Sequence, residues 1–142
     1  MSQPPTPEQI RDTMPFAALI GAELLEVTPE LVCGRMHWSP ERCTAGGLLH
    51  GGALMALADS CGGVYAFFNL PEGAIGTATI ESKTNFLRRI REGAVTALAR
   101  PLHKGRTLIV IETELTREDG ALVAKVTQTQ AFRYAPADTP HM

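Results

Sequence analysis

The sequence predicts an α+β domain: an antiparallel sheet of about five to six strands curled around one long central helix. Three observations carry this reading. A long apolar stretch, residues 51–68, is the one extended helix candidate in a chain of 142 residues. Two strand-like runs precede it and four follow, the first of these with clear alternation. Short turns join the later runs, which favours successive antiparallel neighbours. One helix cannot cover both faces of such a sheet, so the sheet has to curl over it. A helix enclosed in this way should be apolar on nearly all sides.

The elements follow in order. Residues 1–6 are rich in proline and polar groups and read as a loose tail. Thr6 can cap a short helix that has Pro7 at its first position. An apolar patch at residues 16–20 should dock this segment on the core. Residues 23–27 and 31–38 read as two strands joined by a turn around Pro29. Residues 39–50 form a loop, with Ser39-Pro40 and then Gly46-Gly47. After the helix, Asn69, Pro71 and Gly73 stop it. The period then becomes that of a strand: Thr77, Thr79, Glu81, Lys83 and Asn85 alternate with Ala78, Ile80, Ser82, Thr84 and Phe86. Further strands are predicted over 94–102, 106–116 and 121–134. Turns at Glu92-Gly93, Lys104-Gly105 and Asp119-Gly120 separate them. Residues 136–142 read as a second loose tail. With no internal repeat visible, 1–142 is expected to be a single domain.

Composition excludes several classes of function. Hydrophobic residues make up 44% and charged residues 20%, which is ordinary for a globular domain. The formal net charge of -2 argues against a nucleic-acid partner. The start, Met1-Ser2-Gln3-Pro4-Pro5, has no basic segment leading into an apolar run. The apolar stretch 53–68 is interrupted by Asp59 and Gly62-Gly63 and is too short to span a membrane. No membrane partner is expected. Cys33, Cys43 and Cys61 show no metal or redox spacing, and neither do His37, His103 and His141. No metal is expected, and a reducing, cytoplasmic location follows as the default.

Asp59 is the most informative residue. It is the only charged side chain between His50 and Glu72. A carboxylate on an apolar helix must reach water or find a partner. Its helix face includes Gly52, Met55, Ala56, Gly62, Gly63 and Ala66, nearly all small. Such a face leaves room for another backbone or a ligand. The plain alternative is close packing, with Asp59 as an ordinary polar contact. Ser60 points about 100° away from Asp59, the wrong arrangement for a triad. Cys61 reads as core.

The run Gly47-Leu48-Leu49-His50-Gly51-Gly52 opens the helix. The first helical N–H groups lack intrahelical acceptors, and that end of the dipole is positive. An N–H here can stabilise the oxyanion formed when a thioester carbonyl is attacked. His50 can orient the loop or bind substrate. The plain alternative is a glycine turn with a capping histidine.

Together, His50-Gly51-Gly52-Ala53-Leu54-Met55-Ala56-Leu57-Ala58-Asp59 closely resembles the hotdog thioesterases of the phenylacetate-degradation (PaaI-like) type. The run Thr79-Ile80-Glu81-Ser82-Lys83-Thr84-Asn85-Phe86-Leu87-Arg88 and the turn Gly105-Arg106-Thr107 are also similar to that family. The resemblance implies a hotdog fold and hydrolysis of acyl-CoA thioesters to free acid and coenzyme A. No cofactor is implied, coenzyme A being part of the substrate. It also implies a homo-oligomer, a dimer or a dimer of dimers, with sites at the interface. Asp59 would be nucleophile or general base, the Gly51 N–H would polarise the carbonyl, and Thr79 would assist. Gly52 and Phe86 fall to substrate contact. Two positions depart from the family. Thr44 stands where Asn or Gln is usual and has a shorter reach, and Arg89 replaces the usual proline.

Cationic residues suit the anionic nucleotide end of coenzyme A. Lys104 and Arg106 flank Gly105, while Arg88, Arg89 and Arg91 cluster in sequence; within the hotdog reading Arg106 is the best single candidate. The plain alternative is a solvated basic surface. Two other functions compete with hydrolysis. A hotdog hydratase or dehydratase would carry an Asp-x-Asn-Pro-x-x-His type of motif, which is absent. A non-catalytic acyl-binding module gives no reason for a lone helix acid. Aliphatic and aromatic acyl groups both stay open.

Overall fold

The computed structural model describes residues 2–136. All but residue 136 of the tail expected over 136–142, His141 included, lies outside the described residues. Two short helices, α1 (Pro7–Asp12) and α2 (Pro15–Leu19), lead into strands β1 (Glu23–Val27) and β2 (Val32–His37). A single 3-10 turn at Pro40–Arg42 breaks the loop before the long helix α3 (Gly51–Phe67). Four strands follow: β3 (Ala74–Phe86), β4 (Ala94–Lys104), β5 (Leu108–Arg117) and β6 (Leu122–Tyr134).

Local chemistry explains the ends of these elements. The Gln9 N–H donates to Thr6 Oγ1 at 3.2 Å and the Thr6 N–H donates to Gln9 Oε1 at 2.9 Å. This reciprocal box starts α1, with Pro7 at its first position. The apolar patch at 16–20 docks only in part. Ala17 is buried and Ile20 half-buried, but Phe16 and Leu19 are 60% and 78% exposed. A helix this short has one inward side, and residues three apart share it.

All strand pairs are antiparallel, in the order β1-β2-β4-β5-β6-β3. The short turns make β4, β5 and β6 consecutive neighbours, as expected. Glu92-Gly93 does not make a hairpin. Instead β3 lies at the far edge beside β6, and the segment after it crosses back to β4. Both strands run 13 residues, and they pair from Ala74↔Tyr134 to Phe86↔Ala124. The crossing is pinned by the N–H groups of Leu87 and Arg88 on the Val123 carbonyl, and by the buried Ile90 side chain.

Helix α3 lies in the concave face and touches all six strands. Leu54, Leu57, Ala58, Cys61 and Tyr65 are buried there against Met36, Val95, Ile109 and Ile111. The helix is not enclosed on every side, however. Gly52, Met55, Asp59 and Phe67 remain exposed, spaced as one stripe. The sheet covers an arc, and a single chain leaves this stripe open. Among the described residues no helix is long and apolar enough to cross a membrane.

One irregularity positions the site. The β3–β6 register shifts between Thr79 and Glu81, so Ile80 is an extra residue opposite β6. Directly paired residues point to the same face. Before the bulge, Thr77 and Thr79 pair with the buried Phe132 and Gln130 and so face the helix. After it, Ser82, Thr84 and Phe86 face the helix, opposite Gln128, Val126 and Ala124. Strict alternation would have placed Thr79 and Glu81 on one face; the bulge separates them.

Candidate active site

Asp59 projects from the open stripe of α3 towards the β3–β6 pair. Its Oδ1 accepts from Thr79 Oγ1 at 2.8 Å and from Gln128 Nε2 at 3.2 Å. Gln130 Nε2 donates in turn to Thr79 Oγ1, and Thr77 Oγ1 donates to Gln130 Oε1 at 3.0 Å. Among the described residues nothing donates to Oδ2. Asp59, Thr79 and Gln130 line one end of a cavity of about 560 Å³. Its apolar walls come from Ile10 and Met14 at the N-terminus and from Val64, Phe67 and Phe68 on and just beyond α3.

The His50 side chain caps α3: the Gly52 N–H donates to its Nδ1 at 2.8 Å. With Nδ1 accepting, a neutral His50 carries its proton on Nε2. The Gly51 N–H has no acceptor among the described residues and is free for a ligand. A side chain at Gly51 would stand 3.1 Å from Phe86 Cζ, so the Phe86 ring packs across this helix start. His50 and Gly52 line a second cavity of about 790 Å³, with Leu19, Ile20, Arg42 and Ala56. That cavity does not contain Asp59.

Thr44 sits in the loop closed by the Cys43↔Leu49 bridge, its N–H bonded to the Leu48 carbonyl at 2.8 Å. Its side chain is exposed and lines neither cavity. Gly46 and Gly47, with φ of 86° and 75°, give this loop its left-handed turn. The Trp38 indole N–H anchors it on the Gly47 carbonyl at 2.9 Å.

The cations do not converge within one chain. Arg88 bonds the Leu122 carbonyl at one end of β6 and lines an open groove of about 790 Å³ with Arg89, Arg91 and Arg117, and with the acids Glu92, Glu118 and Asp119. At the other end of β6 the Arg106 carbonyl accepts from the Tyr134 hydroxyl. Lys104 Nζ donates to Asn69 Oδ1 at 2.9 Å and lies 5.6 Å from the centre of the Tyr65 ring. Cys61 is fully buried, and burial pushes its thiol up to about 12, so it is no nucleophile near neutral pH.

Sequence reasoning missed Gln128 and Gln130, and missed the N-terminal wall of the Asp59 cavity. The signal for the glutamines was present. They share an inward alternation with Ala124, Val126 and Phe132, where apolar residues belong.

A curled antiparallel sheet over one helix defines a hotdog-fold protein. Solved structures share this fold. A thioesterase from Haemophilus influenzae superposes with a TM-score of 0.86 at 24% identity, covering 96% of this chain and 97% of its own. A mutant thioesterase from Pseudomonas aeruginosa gives 0.86 at 30% identity, covering 94% and 97%. The Escherichia coli PaaI protein gives 0.78 at 19% identity, over 85% and 86%. The sequence profile of the thioesterase superfamily matches residues 46–124. The chain therefore belongs to the thioesterase superfamily. A Pseudomonas aeruginosa protein named only as a candidate esterase is 39% identical over 83 residues, 57% of each chain. The 1,4-dihydroxy-2-naphthoyl-CoA hydrolase of Escherichia coli is 38% identical over 86 residues, 61% of this chain and 62% of that one. These two alignments thus span little more than half of each relative's length.

Proposed function

We propose that the protein hydrolyses acyl-CoA thioesters to free acid and coenzyme A, at a site completed by a second copy of the chain. The observation that carries this is Asp59: one carboxylate oxygen is held by two donors, the other is free, and an apolar cavity begins beside it. The free oxygen can attack the thioester carbonyl and expel the thiolate, leaving an anhydride for water to open. Equally, it can take a proton from a water that attacks directly. In both routes a donor must meet the developing oxyanion, and the unpaired Gly51 N–H suits that role. His50 fixes the backbone that presents it, and Thr79 holds the acid.

Two features support a shared site. Gly51 and Asp59 are eight residues apart on one helix, about 12 Å along its axis. One carbonyl cannot touch both in a single chain, whereas two copies can bring one of each together. The outer edge of β3 is also unpaired over 13 residues, with Ile75 and Ile80 60% and 62% exposed beside it. Edges of this length are usually covered, and a two-fold axis would pair it with itself.

Arg88, Arg89 and Arg91 can meet the anionic end of coenzyme A, in a groove they share with Glu92, Glu118 and the Arg117–Asp119 pair. Lys104 and Arg106, at the other end of β6, would serve only from a different copy. Phe86 and Gly52 border the approach to the Gly51 N–H, and Thr44 would act from the loop before it. The related Escherichia coli enzyme acts on a CoA thioester, which favours the same class here. Cytoplasmic location remains part of this proposal. Incubation of the purified protein with aliphatic and aromatic acyl-CoAs, with free thiol monitored, tests the reading. Thiol release above the spontaneous rate is expected; none across the panel would refute it.

A further inference from the structure

We infer that Gln128 and Gln130 of β6, seated against Gly62 and Gly63 of α3, are positioning residues that hold Asp59 and Thr79 for reaction. This rests on the hydrolytic reading of Asp59. Both glutamines are 1% exposed, on a strand face otherwise apolar. A methyl group at Gly62 would fall well inside van der Waals contact with the Gln128 amide. One at Gly63 would just touch Gln130 Nε2, at 4.0 Å. Gly62 thus leaves room for the Gln128 amide, whereas Gln130 would tolerate a side-chain carbon at position 63.

Stability alone does not account for this pairing. Glycine inside a helix is unfavourable relative to alanine. Buried amides are costly unless fully paired, and Gln128 Oε1 has no partner among the described residues. An apolar residue on β6 facing alanine on α3 would avoid both penalties. What the arrangement does provide is a fixed direction for every proton in the chain of bonds. An ionised Asp59 can only accept, so the Thr79 hydroxyl must donate to it. Thr79 Oγ1 must then accept from the Gln130 amide nitrogen, which turns Gln130 Oε1 towards the Thr77 hydroxyl. Gln128 must likewise present its nitrogen to Asp59. Both donors fall on Oδ1, so Thr79 and Gln128 set the direction of the free Oδ2, and Gln128 does so from outside the cavity lining.

The test uses Gln128→Met and Gln130→Met, which keep size and remove the donor, and Gly62→Ala, which displaces Gln128. Each is expected to lower kcat about tenfold, as for loss of one hydrogen bond to a charged group or its direct partner. KM should stay within about twofold, since ground-state binding is untouched. Melting temperature should not fall in the two methionine variants. Gly62→Ala should cost nothing further in a Gln128→Ala background, because the displaced group is gone. Wild-type kcat in Gln128→Met, with Asp59→Asn inactive, would overturn the positioning role while leaving the hydrolytic reading intact. The side-chain amide NMR signal of Gln128 decides the contact without any turnover. It should shift in Asp59→Asn, and an unmoved signal would overturn the inference whatever the rate.

Discussion

Thr79 Oγ1 lies 2.8 Å from Asp59 Oδ1, while Glu81, two residues further along the same strand, stands on the opposite face. The bulge at Ile80 makes this possible. It lets one edge strand offer a hydroxyl to the helix acid and then resume alternation with Ser82, Thr84 and Phe86 facing inward. With Ile80 kept but no bulge, strict alternation over the seven steps from Thr79 to Phe86 would turn one of the two away from α3.

Thr79→Val keeps the shape of the side chain and removes the donor to Asp59. Turnover on a good acyl-CoA is expected to fall about tenfold, the worth of one charge-assisted bond. Thr79→Ser should retain most of it. Steady-state rates of the two variants check this, and equal rates would remove Thr79 from the site.

Gly51 and Gly52 should respond differently to alanine. The added methyl at Gly51 meets the Phe86 ring at 3.1 Å and crowds the free N–H, so activity should fall with the oligomer intact. At Gly52 the methyl meets His50 Nδ1 at 2.9 Å and breaks the cap of α3. That should cost about 1 kcal/mol of stability, the usual value of a lost N-cap. Rates and melting curves on both variants separate the effects.

Acid stability should depend on β1 and β2. The hydrogen bond from Arg35, 3.0 Å from Glu23 Oε2, holds the Glu23 carboxyl below its ordinary value of 4.5 against the opposing effect of burial. A depressed carboxyl adds stability above its unfolded value and loses it as pH falls through the folded one. Arg35→Met should therefore lower the melting temperature at neutral pH. The difference from wild type should shrink as pH drops below about 4.5. Melting curves over that range test the sign.

The unpaired edge of β3 should be an interface. Ile80→Arg puts a charge on it at a 62% exposed position. Sedimentation is expected to show wild type as a dimer or larger at micromolar concentration and the variant shifted towards monomer. Activity should fall with dissociation. A stable, active wild-type monomer would contradict a site shared between copies.

Much of this fold was legible in the sequence. The bounds of β1 and the start of α3 fall where the sequence puts them, at residues 23–27 and at Gly51 after the His50 cap. Asp59 stood out as a charge on an apolar helix, and Thr79 and Gly51 came with the family resemblance. The rest was hidden for physical reasons. A period of two cannot reveal an extra residue, so the inward turn of Thr79 was ambiguous beside Glu81. Turn lengths speak only for sequential neighbours, so the pairing of β3 with β6 was invisible. Gln128 and Gln130 continue the inward alternation of Ala124, Val126 and Phe132, but nothing in the sequence tells which acid and hydroxyl they meet. Gly62, across from Gln128, makes the space for its burial.

Asp59→Asn tests the central claim most directly. The amide keeps an acceptor at Oδ1 for Thr79 and Gln128 but can neither attack a thioester nor take a proton from water. Thiol release from a good acyl-CoA is expected to fall by about two to four orders of magnitude, with no drop in melting temperature or change in oligomeric state. A folded, oligomeric Asp59→Asn protein that hydrolyses at the wild-type rate would contradict it.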